Sequence, residues 1–139
     1  MQINIFYKTQ MPKYYRASGR YKAAVLSSLG KTAAKPGEVN IIFVGNSEML
    51  RINKQFLGHN YTTDVISFNY PYKPANGMPF GDIFVCFPQA KKQAEHGTLK
   101  ELLILTAHGA LHLVGHKDDT DKLRGAMNKK AQQIAEEVL

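Results

Sequence analysis

The chain has 139 residues, 44 % of them hydrophobic and 21 % charged, and a formal net charge of +7. That length suits one domain, residues 1–139, with a well-buried core, and the composition excludes a disordered chain. Its apolar runs, such as Ile41-Ile42-Phe43-Val44 and Leu102 to Leu105, fall far short of the roughly 18 residues that a membrane span needs.

The start, Met1 to Tyr7, does not read as a secretory signal, and the single cysteine, Cys86, allows no internal disulfide. Both fit a reducing cytoplasm. Charge is more informative by position than by total. Lys8, Lys13, Arg16, Arg20, Lys22, Lys31 and Lys35 fall within residues 1–37, which hold no acidic side chain, whereas the remainder is balanced. A segregated positive region is the footprint of a polyanion-binding surface, although it also describes a solvated basic helix.

Alternation of Ile3, Ile5 and Tyr7 with polar neighbours predicts a strand over 2–7. Tyr14, Tyr21, Ala24, Val25 and Leu29 follow at helical spacing up to Gly30, and Pro36-Gly37 turns into a strand over 38–45. Asn46 or Ser47 is placed to cap a helix with Met49, Leu50, Ile52, Phe56 and Leu57 as apolar positions, stopped by Gly58. Two more strands are predicted over 62–68 and 81–87, separated by a Pro-rich loop over 69–80. Pro88 opens a short helix to about Ala94. Thr98 is placed to cap a long helix from Leu99 to about Val114, ended by Gly115, and a last helix runs from about Thr120 to Glu137 with Leu123, Met127, Ile134 and Val138 on one face. The order predicts an α+β domain with a mixed four-stranded sheet and about five helices.

Chemistry concentrates on the long helix, in Ala107-His108-Gly109-Ala110-Leu111-His112. Histidines four apart share a helix face and can hold one metal ion. The bland alternative is a pair of hydrogen-bonded core histidines. A third ligand must come from His116 or Asp118. On a continued helix His116 would stand about 12 Å along the axis from His108, too far for bonds of about 2 Å to one ion. Gly115 is a natural helix stop, after which Asp118 can return toward the pair. His108, His112 and Asp118 are therefore the expected ligands, with His116 as the alternative. Such a set leaves a fourth position open for water, whose pKa a zinc ion lowers to about 7. Zinc proteases carry a Glu after the first His; Gly109 stands there, which disfavours a peptidase. Phosphodiester hydrolysis joins the metal site to the basic segment in one hypothesis.

The stretch His108-Gly109-Ala110-Leu111-His112-Leu113-Val114-Gly115 resembles the signature of the YbeY family of bacterial rRNA-maturation endoribonucleases, His-Gly-x-Leu-His-Leu-x-Gly, in which a third ligand follows after five intervening residues. Here that position is Asp118. Thr63-Asp64-Val65-Ile66-Ser67-Phe68 and Gly81-Asp82-Ile83 are similar to two further family blocks. The resemblance implies a zinc-dependent, single-strand-specific endoribonuclease of the cytoplasm that acts on rRNA and the small ribosomal subunit in maturation and quality control.

Two positions depart from the family pattern. Most members carry His where this chain has Asp118, although an aspartate there resembles a known branch of the family with Asp as third metal ligand; the carboxylate makes a harder ligand set and widens the choice of metal. The family's Arg before the Thr-Asp block is matched by Leu57, so phosphate stabilisation falls to Lys54, His59 or the basic helix. Asp64 and Asp82, read as strand-end residues, are candidates for orienting an imidazole or lining the substrate groove, or for capping turns. Cys86 reads as a buried core thiol. Tyr70 and Tyr72 are placed to stack on bases or to pack under their loop, and His59 and His96 otherwise read as surface histidines. The rival reading is an RNA- or ribosome-binding assembly factor whose metal is mainly structural.

Overall fold

A computed structural model describes residues 1–70 and 79–139. Its strands are β1 (Gln2–Tyr7), β2 (Glu38–Val44), β3 (Val65–Asn69) and β4 (Pro79–Cys86), and its helices are α1 (Ser18–Leu29), α2 (Asn46–Leu57), α3 (Phe87–Gln93), α4 (Thr98–Leu113) and α5 (Asp121–Val138). Short 3-10 turns precede and follow α1. The sheet order is β1-β2-β4-β3, with β1, β2 and β4 parallel and β3 antiparallel to β4. This is the expected α+β architecture, a mixed four-stranded sheet with five helices among the described residues.

Strand β2 is apolar on both faces because both are covered. Val39, Ile41 and Phe43 point into the main core with Tyr21 and Val25 of α1, Leu102, Leu103 and Leu111 of α4, and Met127 and Ile134 of α5. On the opposite face Val44, Ile66 and Cys86 pack with Met49 and Ile52 of α2. Helix α4 is the centre of the first layer, and each of its buried leucines contributes roughly 1.5–3 kcal/mol of burial. Among the described residues no helix is long and apolar enough to cross a membrane.

Several element ends differ from the sequence expectation for local reasons. Tyr14 lies in the 3-10 turn before α1 and is 70 % exposed, so it is not part of that helix's apolar face. Asn46 is the first residue of α2 and does not cap it; its Oδ1 instead accepts a hydrogen bond from the Cys86 thiol at 3.3 Å. Thr98 likewise begins α4, after Gly97. Thr120 does cap α5, accepting from the Leu123 amide at 3.2 Å. Phe56, Leu57 and Leu123 are exposed rather than core residues. Phe56 lies outside the α2 core contact and meets Phe68 edge-on, ring centroids 5.5 Å apart. Cys86 is fully buried, as expected. Of the anticipated 69–80 loop, Asn69 belongs to β3 and 79–80 to β4; its interior, with Tyr72, lies outside the described residues.

Candidate metal centre

Two glycines let α4 approach the sheet closely enough to bring its histidines to β3. A Cβ on Gly109 would stand 2.6 Å from Ile83 Cγ2 and 2.9 Å from Ser67 Oγ, and one on Gly81 would stand 2.6 Å from Leu113 Cδ2. Strand β3 then holds the helix by hydrogen bonds. The Ser67 hydroxyl donates to the Gly109 carbonyl at 2.9 Å, and Asn69 Nδ2 donates to the Leu113 carbonyl at 2.7 Å. Residues 65, 67 and 69 share one face of the strand by its period of two. That spacing was readable in the sequence, but nothing in it showed which helix the face would meet.

The helix ends in a left-handed turn at Gly115, φ 94°. The His116 amide donates to the Leu111 carbonyl and the Gly115 amide to the His112 carbonyl, at 3.1 Å each. This pair of bonds is a Schellman motif, and it satisfies carbonyls that the helix end leaves free. The turn brings Asp118 back, so that its Oδ2 lies 3.4 Å from His112 Nε2. The His108 and His112 rings are 5.0 Å apart between centroids. One ligand atom from each of His108, His112 and Asp118 lies within 4.8 Å of the others, and all three side chains are half-buried.

That donor set fits a divalent ion. Ligand atoms around a tetrahedral ion with bonds of about 2.0–2.1 Å stand roughly 3.3 Å apart. The His112–Asp118 separation already matches, and the other donors need only small side-chain rotations. Burial pushes the His108 imidazole below its ordinary pKa, His112 adds to the effect, and the Asp64 and Asp118 carboxylates oppose it. His108 is therefore neutral at neutral pH, with a lone pair free for coordination. His116 is outside this group; it lines a separate groove with Val114, Leu123, Met127 and Lys130. Asp118→Ala is expected to abolish stoichiometric zinc binding while His116→Ala retains it, checked by metal content after dialysis. The reverse pattern would sink the ligand assignment.

Asp64 supports the centre from the side. Its Oδ1 accepts from the Val65 amide at 2.8 Å, and its Oδ2 accepts from Gln93 Nε2 at 3.0 Å. The same Gln93 nitrogen donates to Glu101 at 2.7 Å, two helical turns before His108 on α4. Gln93 thus ties the residue that leads into β3 to α4, a role its place in a short polar helix did not signal.

Asp82 sits elsewhere. It lies within β4, and because Gly81 and Ile83 face α4, its side chain points to the opposite face of the sheet. There it accepts from Asn40 Nδ2 at 3.0 Å and from the Tyr70 hydroxyl at 2.6 Å. Burial and that bond push the Tyr70 phenol up to about 12.

An open groove of about 410 Å³ adjoins the centre, lined by Leu57, His59, Tyr61, Thr63 and Ser67 together with His112. It falls within the size range of small-ligand pockets. Lys54 is exposed on α2 and does not line it. Nor do the basic residues of 1–37. Arg16 lines a different groove with Tyr7, Thr9 and Met11.

Comparison with known proteins agrees with the motif. The family model described as Endoribonuclease YbeY matches residues 8–139. A protein of Elusimicrobium minutum named Endoribonuclease YbeY is 52 % identical over 96 % of this chain and 97 % of its own length. One of the same name from Bacillus licheniformis is 37 % identical over 73 % of this chain and 72 % of its own. The solution structure of TM1509 from Thermotoga maritima superposes with a TM-score of 0.62 at 28 % identity, covering 99 % of this chain and 89 % of that one. With the signature on α4, the fold and the full-length match in agreement, the chain belongs to the endoribonuclease YbeY family.

Proposed function

We propose that residues 1–139 form one cytoplasmic, zinc-dependent endoribonuclease unit that cuts single-stranded RNA, acting on rRNA of the small ribosomal subunit in maturation and ribosome quality control. The observation that carries this reading is the convergence of His108, His112 and Asp118 at the wall of an open groove. Relatives that share most of the chain bear the name endoribonuclease, which supports RNA as the substrate.

His108, His112 and Asp118 would hold the zinc. An ion bound by two imidazoles and one carboxylate keeps a position open and supplies Lewis-acid polarisation and an acidified water at neutral pH. The chain's own residues prepare that site. Burial keeps His108 unprotonated, the Gly115 turn presents Asp118, and Asp64 and Gln93 brace the approach of β3 to α4. His112 belongs to both the donor group and the groove wall, so a strand lying in the groove meets the centre there.

A second reading, an RNA-binding assembly factor with a structural metal, draws on the absence of Lys and Arg from the described lining of that groove. Metal removal separates the two. The full chain stripped by a chelator is expected to lose cleavage of a single-stranded oligoribonucleotide, to regain it with zinc, and to leave a duplex of the same sequence intact. Binding without cleavage under every metal would favour the assembly factor.

A further inference from the structure

The groove beside His112 has a rim that the metal chemistry leaves unused. The rings of His59 and Tyr61 stack in parallel there, 5.1 Å between centroids and 11° between planes. The Tyr61 hydroxyl also lies 3.1 Å from His59 Nδ1, at hydrogen-bond distance. Even so, Tyr61 remains 57 % exposed.

The loop that carries the pair is anchored by one residue of α2. Asn53 is 1 % exposed, a buried amide in a helix whose other buried residues are apolar. Its backbone carbonyl accepts from the His59 amide at 3.2 Å, and its side-chain Nδ2 donates to the Tyr61 carbonyl at 2.6 Å. Gly58 adopts the left-handed conformation, φ 72°, that the turn between helix and rim requires. The pair is thus held in place before any ligand arrives, which lowers the ordering cost of binding.

We propose that the His59–Tyr61 pair is a stacking platform for an unpaired nucleobase of the RNA strand whose backbone reaches the donor group at His112. The proposal rests on the reading of the chain as a ribonuclease. Its chemistry follows from the groove itself. No Lys or Arg is among the described lining residues, so this stretch grips a base rather than a phosphate. Ser67 is already engaged with Gly109, which leaves few groups to read a base edge. Recognition by ring faces is tolerant of base identity, because every base has a π-face. A duplex, whose bases are stacked on one another, offers no free face. The platform thereby selects single strands.

The test uses the full chain in chelator and a short single-stranded oligoribonucleotide carrying one 2-aminopurine, moved along the strand. Quenching of its fluorescence is expected at one position, and an abasic residue at that position should weaken binding to the unchanged protein. Tyr61→Ala should remove the quench and raise Kd about tenfold, within the range for losing one base–aromatic stack, and Tyr61→Phe should rescue both. Unchanged affinity and quenching in Tyr61→Ala, or no position sensitive to base removal, would overturn the platform. Cleavage in zinc is scored separately. A wild-type protein that quenches but never cuts leaves the platform standing and removes the nuclease reading, and one that cuts without a Tyr61-dependent quench does the opposite.

Discussion

Replacing His112 by alanine is expected to reduce cleavage of single-stranded RNA below about one hundredth of the wild-type rate, with stability nearly unchanged. His112 is common to the donor group and the groove wall. Its Nε2 stands 3.4 Å from Asp118 Oδ2, and its ring is 5.0 Å from that of His108. Truncation leaves two donors, too few to retain an ion. Outer partners of metal ligands typically cost about 10–100-fold when removed, so loss of a ligand itself exceeds that range. The side chain is half-buried at a groove wall, outside the buried core, so the fold tolerates its loss. Cleavage rate, zinc content and Tm of the variant beside the wild type check this. A variant that keeps more than about a tenth of the activity would remove the donor group from the chemistry.

Gly109→Ala should act on the same site through packing. The added methyl would stand 2.6 Å from Ile83 Cγ2, a stiff and fully buried branch, and 2.9 Å from the Ser67 hydroxyl that holds α4 to β3. Overpacking of this kind costs about 1–3 kcal/mol. Alanine's higher helix propensity returns about 1 kcal/mol, so the net loss is about 1 kcal/mol, or roughly 3–4 °C in Tm for a chain of this size. Moving α4 off the sheet also shifts His108 and His112 against β3 and Asp64, and zinc affinity should fall by about tenfold. Gly125→Ala is the control. No atom lies within 4 Å of a Cβ there, and the change should stabilise α5 by roughly 0.5–1 kcal/mol. A Gly109→Ala protein as stable as the wild type would show that close packing does not set the position of α4.

The cluster of His108, His112 and Asp118, a group that could hold a metal ion, was legible because its geometry is local. Four-residue spacing places two imidazoles on one face of any helix, and a glycine at position 115 permits the left-handed turn that returns Asp118. The strands were legible for a similar reason, since alternation and β-branched runs depend only on near neighbours. Element ends were less so. Asn46 and Thr98 are capping residue types, but the bond from Cys86 to Asn46 joins residues 40 apart, and local sequence cannot anticipate that competition.

Placement across the sheet was not legible at all. Asp64 and Asp82 look alike as acidic residues beside apolar strands, yet one braces the metal centre and the other faces away from it, a distinction made by which face α4 covers. The basic segment and the histidines read as one site in the linear chain, but none of the basic residues of 1–37 lines the groove beside His112, and Arg16 lines a different one. Asn53 and Tyr61 carried no signal, because a buried amide and an exposed ring acquire meaning only when the loop between them closes. Backbone periodicity and turn chemistry within a few residues make the elements, the histidine pair and the turn after it readable from the linear chain. Which polar groups meet at the site depends instead on how closely α4 packs on β3, and two glycines distant in sequence permit that approach.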